Sequence, residues 1–332
     1  MILQKIIERK SLTENEAREM LRTMIKGELG PVQAAALLIA LKMKGESTIE
    51  LAGFAKEMRE NATLINPVKE NLVDTCGTGG DSTCTFNIST TSALIAAGAG
   101  INIAKHGNRA ISGKCGSADL LEELGVQMLK PEKVEECIDK TGFGFMFAPY
   151  FHPAMKNIMP IRKELGVRTV FNMLGPLTNP ANAKTQVLGV YDANLTGVFA
   201  EVLRELGTEH GLIVHSEGMD EIGFGITKIS ELKKGEIENY SIEGADFGFE
   251  KREIPKVSSR KESAEIVNKV LKGEGGAARD VCILNAAAAI YVGGAASLDK
   301  GIRLAEEAID SGEAMKKLEE VVKFTGDAYG HS

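Results

Sequence analysis

The sequence predicts an α/β fold: a small all-helical N-terminal domain, then a larger α/β domain with a mostly parallel central sheet. Three observations predict it. Residues 1–65 carry helical periodicity and cap signals with no strand-like run. From Leu72 onward, short apolar strands alternate with helices. The chain also holds 36 glycines, while aromatics are only 5% and Trp is absent, which suits close backbone approaches. Its 332 residues leave room for one large or two moderate domains, at roughly 100–200 residues each.

The elements follow in order. Thr13 and Glu16 form a capping box that opens the first long helix. Pro31 fits the first turn of VQAAALLIALKMK, and Gly45 fits just past its end. Ser47 and Glu50 form a second capping box before ELAGFAKEMREN. LVDTCG then reads as a buried strand, ISTTSALIAAGAG as a small-residue helix and INIAKHG as the next strand. Helices SADLLEELG and PEKVEECIDKTG, strand FGFMFAP, strand QVLGVY, helix NLTGVFAEVLRELG and strand GLIVHS continue the alternation. ITKISEL and ENYSIE read as a hairpin, and the chain is helical again from Lys261. HPAMKNIMPIRKELGVRT interrupts with helical spacing that Pro160 should kink or break. It is expected to complete the helical domain from around 152–180, leaving 70–332 as the α/β domain.

The net charge of −7 argues against a nucleic-acid or anionic-membrane binder. An anion would need local positive charge, and Lys105, His106, Arg109 and Lys114 lie close together in sequence. Cys76, Cys84, Cys115, Cys137 and Cys282 form no C-x-x-C pair, so they read as reduced thiols of a cytoplasmic protein. No window is apolar enough for a membrane span, and the N-terminus lacks signal-peptide features.

Gly77-Thr78-Gly79-Gly80-Asp81 follows a predicted strand, and Asn87-Ile88-Ser89-Thr90 opens a helix. Such a loop can present backbone N–H groups to phosphate, or can simply be a tight turn that needs glycine. Lys105-His106-Gly107-Asn108-Arg109 and the stretch from Ser112 to Asp119 lie at a second strand end, either facing the same crevice or as a solvated basic loop. His152, Lys156 and Arg162 are expected on one side of a helical segment. A packed histidine and a surface salt bridge are the alternatives for His152 and Arg162. Asp220 and Glu221 follow strand GLIVHS and are either solvated or Mg2+ ligands beside a phosphate site.

Read together, GTGGD, NIST, KHGNRAISGKCGSAD, HPAMKN, IRKELGVRTVFNMLGPLTNP and GMDE run in order along nearly the whole chain. In this they resemble the anthranilate phosphoribosyltransferases, of the nucleoside phosphorylase and phosphoribosyltransferase superfamily. The resemblance implies a homodimer paired through the helical domains, with substrates in the cleft between domains. It implies a tryptophan-biosynthesis enzyme that uses Mg2+ to join the phosphoribosyl group of phosphoribosyl pyrophosphate (PRPP) to the amine of anthranilate. By that resemblance Gly77, Thr78, Gly79, Gly80, Asp81, Thr85, Asn87, Ser89, Thr90, Lys105 and Ser117 hold PRPP. Gly77, His106, Asn108, His152, Arg162 and Gly175 receive anthranilate, Ser89, Asp220 and Glu221 bind Mg2+, and Lys105 and Arg162 are catalytic. Cys84 and Cys115 depart from the pattern but are small enough to leave the loops intact. The rivals are a pyrimidine nucleoside phosphorylase, which needs no metal, and a non-catalytic nucleic-acid-binding relative, which the acidic charge opposes.

Overall fold

The computed structural model describes residues 2–79, 84–110 and 115–330. Gly80, Asp81 and Lys114, named above as candidate site residues or local charge, lie outside the described residues.

Four helices come first: Ile2–Ile7, Glu14–Ile25, Pro31–Lys44 and Thr48–Glu60. Their ends form as their sequences require. Thr13 and Ser47 each accept the backbone N–H three residues on, and Glu16 and Glu50 reach back to complete both capping boxes. Gly45 ends the third helix at φ 87°, where a side chain would be strained. Glu50 is fully buried yet saturated: it accepts Leu12 N–H and Ser47 N–H and pairs with Lys44 at 2.8 Å. Removing one partner of such a pair typically costs roughly 3–5 kcal/mol. Glu57 ties Arg18, Arg22 and Asn61 together in the same way.

Seven strands follow: β1 (Val73–Gly77), β2 (Ile103–Gly107), β3 (Phe143–Phe147), β4 (Thr185–Gly189), β5 (His210–Ser216), β6 (Thr227–Lys233) and β7 (Glu236–Ile242). They form one sheet in the order β3-β2-β1-β4-β5-β6-β7. β1 to β5 are parallel, while β6 and β7 add an antiparallel hairpin at one edge. The predicted α/β class and the hairpin are both present. Between β1 and β2 lies the helix Ile88–Gly98, which buries nearly every residue, as its small side chains allow. One sheet face packs on that helix and on the C-terminal helices, notably Ala277–Val292. The opposite core runs from the N-terminal helices to Leu188, Val190, Ile213 and the helix Leu195–Glu205.

The segment after β3, expected to be kinked or broken at Pro160, is broken two residues before it. It is a short helix, Ala148–Phe151, a 3-10 turn, Pro153–Asn157, and the helix Met159–Leu165, followed by Phe171–Leu174 and Gly175–Leu177. The break falls at Ile158, and Pro160 sits in the first turn of the next helix, where its missing N–H costs nothing. Ile158, Val170, Phe171, Met173 and Leu174 share a core with the N-terminal helices. Asn157 donates to Ile25 O at 2.7 Å and Arg59 to Leu177 O at 2.8 Å, which tie the pieces together.

Candidate active site

Because β1 to β5 run parallel, their carboxyl ends share one edge. Gly77, Gly107, Phe147, Gly189 and Ser216 are the terminal residues there, and that edge is where open α/β sheets bind ligands. Gly77 and Gly189 are register partners. A Cβ on Gly189 would lie 1.5 Å from the Asp220 carbonyl oxygen, and one on Gly77 would lie 2.4 Å from Asp220 Oδ2. Two facing glycines therefore make the niche that admits Asp220.

Asp220 Oδ2 accepts the Gly79 N–H at 2.8 Å. Thr78 is held on both sides: its N–H donates to Gly189 O, and its hydroxyl accepts the Tyr191 N–H at 3.0 Å. So the N–H groups of Thr78 and Gly79, expected to face an anion, are engaged within the protein. Arg168 stacks on the Tyr191 ring at 4.4 Å, so a cation from the helical segment backs the same anchor.

The described members of the basic cluster read from the sequence, Lys105, His106 and Arg109, are each engaged within the protein or buried. Arg109 is paired with Glu122 and Asp119. His106 is buried, and burial pushes its pKa down to about 3, so it is neutral. Lys105 does not face the crevice: it is 1% exposed, and its ammonium donates to the Thr75 carbonyl and, at 3.2 Å, to Ser89 Oγ. Burial lowers its pKa, while Asp74 and the Asp220–Glu221 pair oppose the shift. The sequence reading passed over Asp74. It is fully buried on β1, accepts the His106 N–H at 3.1 Å, and has its pKa raised by burial against the pull of Lys105. A charged residue inside an apolar strand was the available signal.

Ser89 and Thr90 occupy the first turn of the Ile88–Gly98 helix, and the buried Thr90 hydroxyl has no hydrogen-bond partner among the described residues. Asn87 bridges the two loops. It donates to Cys115 O at 3.2 Å and accepts the Ser263 hydroxyl at 3.1 Å. Thr85 lies on an isolated bridge to Lys256. Ser117 donates to Asn108 O at 3.2 Å, and Asn108 itself is exposed.

His152 is buried, its ring centroid 5.1 Å from that of His106, so it is a packed histidine in this arrangement; burial takes its pKa down to about 4. Gly175 O accepts from His106 Nδ1 at 3.2 Å, which fixes the tautomer. Lys156 is exposed while His152 is buried, and the two lie on different elements from Arg162: the 3-10 turn, its N-cap and the helix Met159–Leu165. Arg162 stacks over Phe171 at 5.5 Å, its pKa lowered by burial. It makes no ion pair among the described residues, which argues against the surface salt bridge.

Thr75, Ser89, Asp220 and Glu221, with Cys76, Val187, Val214 and Asn285, enclose a cavity of about 10 Å³. That is the size of one water or small cation, and its oxygens are the donors a hard cation takes. Among the described residues no group of three His, Cys, Asp or Glu side chains converges as a metal site. The donor set therefore fits a cation completed by ligand oxygens, not a closed protein cage.

Known proteins resemble the chain over nearly its whole length. Residues 69–315 match the model for the glycosyl transferase family, a/b domain, and residues 1–62 that for its helical bundle domain. The anthranilate phosphoribosyltransferase of Nitrosomonas europaea is 49% identical, covering 98% of this chain and 97% of its own. That of Acetivibrio thermocellus is 48% identical, covering 97% and 95%. The anthranilate phosphoribosyltransferase crystal structure from Thermus thermophilus aligns with a TM-score of 0.92 at 45% identity, covering 98% of this chain and 99% of that one. The Saccharomyces cerevisiae enzyme in complex with PRPP and Mg aligns with a TM-score of 0.86 at 29% identity, covering 95% and 92%. These matches span both parts of the fold, and the chain belongs to the anthranilate phosphoribosyltransferase family.

Proposed function

We propose that the protein transfers the 5-phosphoribosyl group of PRPP to the amine of anthranilate, releasing pyrophosphate, as a pentosyltransferase of tryptophan biosynthesis. The observation that carries the acceptor is Arg162: a part-buried guanidinium with no ion pair among the described residues, stacked on Phe171. A guanidinium fork suits a carboxylate bidentately. Neutral His106 and His152, with the Gly175 turn, supply an uncharged wall for an aromatic ring. Asn108 lies exposed at the end of β2, where it can meet the same acceptor.

For PRPP, the reading assigns the Gly77–Asp81 loop, Thr85, Asn87, the Ser89–Thr90 helix start and Ser117. Asp220, Glu221 and Ser89 would hold Mg2+, which when bound offsets charge growing on the leaving pyrophosphate. The Lys105 ammonium, held beneath Ser89 and Thr75, adds a fixed positive charge from within. The amine nitrogen forms its bond to the anomeric carbon as the carbon–oxygen bond to pyrophosphate breaks, and the ammonium proton passes to solvent. An aryl amine is neutral near pH 7, and the two nearest histidines are held neutral. The chain's part is then to position the substrates and to stabilise charge.

We also infer the unit boundaries and the assembly. Residues 1–65 with 152–180 form the helical unit, and 70–332 carry the α/β unit. Val32 and Met43, 83% and 74% exposed, line one face of the Pro31–Lys44 helix with Ala36 and Ile39. That unpartnered apolar stripe favours pairing with a second copy; light scattering that finds only monomer at micromolar concentration would remove it. No helix is long and apolar enough to cross a membrane, and free cysteines suit a reducing cytoplasm.

The test is loss of anthranilate fluorescence with PRPP and Mg2+. Phosphorolysis of a pyrimidine nucleoside without metal would instead favour the phosphorylase reading.

A further inference from the structure

The Asp220–Glu221 segment is held by a residue of a C-terminal helix. Asn285 lies on the helix Ala277–Val292 and is 5% exposed. Its Oδ1 accepts the Ile222 N–H at 2.9 Å, and its Nδ2 donates to Ile222 O at 2.8 Å and Val281 O at 2.9 Å. Both amide protons and the carbonyl are thus engaged, and only this orientation of the amide satisfies them. Ile222 is 1% exposed and directly follows Glu221. A bidentate grip on its backbone fixes where the two carboxylates leave the chain.

The same helix also fixes Ser89. Cys282 lies three positions before Asn285, on the same face, and its carbonyl accepts the Ser92 hydroxyl at 3.1 Å. Ser92 is on the Ile88–Gly98 helix, one turn after Ser89. One helix therefore sets the position of Ser89 through Ser92, and of Asp220 and Glu221 through Ile222. Asn285 itself lines the small cavity between them.

We propose that Asn285 is a positioning residue for a divalent cation, holding Asp220 and Glu221 at the spacing the cation needs opposite Ser89. This rests on the reading that those three residues bind Mg2+. Groups behind metal ligands typically change metal affinity ten- to hundredfold when altered, because they fix ligand orientation. Asn285→Asp places an acceptor against the carbonyls of Ile222 and Val281, and Asn285→Leu removes all three bonds while keeping the branched shape.

The experiment measures Mn2+ binding by electron paramagnetic resonance, with PRPP present, for wild type and both variants. The dissociation constant should rise about tenfold or more in each, with Mg2+ half-saturation rising in parallel and PRPP KM at saturating Mg2+ within about twofold. Asp220→Asn/Glu221→Gln serves as the comparison. If that pair weakens Mn2+ binding and the Asn285 variants do not, Asn285 has no positioning role while the metal reading stands. If the pair leaves Mn2+ binding unchanged, the metal reading fails and this inference with it. If neither Asn285 variant folds, amide exchange in the unaltered protein decides: Mg2+ with PRPP should slow exchange at Ile222, and an unchanged rate would overturn the proposal.

Discussion

Asp220 Oδ2 accepts the backbone N–H of Gly79 at 2.8 Å, so an acidic side chain from the end of β5 closes onto the glycine loop after β1. Gly77 and Gly189 leave the space for it. Two carboxylates at such an edge would repel a phosphate-rich substrate unless a cation lay between them.

Replacing both by Asp220→Asn and Glu221→Gln keeps the shape and lets position 220 still accept the Gly79 N–H. The variant should need roughly tenfold more Mg2+ for half-maximal activity, with thermal stability close to wild type. An unchanged Mg2+ titration would show that the pair is only a hydrogen-bonded strand end.

The buried Lys105 ammonium donates to Thr75 O and Ser89 Oγ, and its charge opposes the burial that raises the pKa of Asp74, so Lys105→Met should cost both fold and function. Leaving the buried Thr75 carbonyl without its donor, and Asp74 without a nearby cation, should destabilise by roughly 1–3 kcal/mol. Adding Asp74→Asn should restore much of that stability in denaturant melts, yet leave PRPP use impaired. Full recovery of PRPP kinetics in the double variant would mean that Lys105 serves the fold alone.

The alternation of strands and helices, both capping boxes and the Gly45 stop were legible because they depend on local sequence. The roles of Lys105 and Arg109 were not. A lysine after a strand reads as exposed until Asp74 and Ser89 are placed around it, and Arg109 reads as unpaired until the next helix brings Glu122 beside it. Asn285 lies 63 residues from its partner Ile222, a distance no local pattern spans. Its signal was a lone amide in an otherwise apolar helix, CILNAAAAIYV. Pro160 signalled a kink or break in this segment, but its exact place at Ile158 was not legible, because the helical spacing continues across it and packing on the N-terminal helices fixes the turn.

Arg162→Ala should lose roughly 1.5–3 kcal/mol, the usual worth of a hydrogen bond to a charged group. That is about ten- to hundredfold in kcat/KM for anthranilate. Aniline lacks the carboxylate and should barely distinguish variant from wild type. An equal loss with both amines would place Arg162 in folding or in PRPP binding.

Buried His106 and His152 have pKa values lowered from 6.5 to about 3 and about 4. The unfolded chain therefore binds more protons below pH 6.5, and stability must fall as the pH drops from there toward 4 and 3. The slope approaches about 1.4 kcal/mol per pH unit for each histidine. His106→Asn can keep a donor toward Gly175 O and should flatten the acid limb by up to one proton. An acid limb identical to wild type would mean that His106 is not held neutral.

The central claim is an exchange of one bond for another, so the most direct measurement is stoichiometry. Purified protein with PRPP, anthranilate and Mg2+ should release one pyrophosphate for each anthranilate lost, and omitting any one of the three should stop both signals. Pyrophosphate release that does not depend on anthranilate, or no anthranilate loss with all three present, would contradict the account.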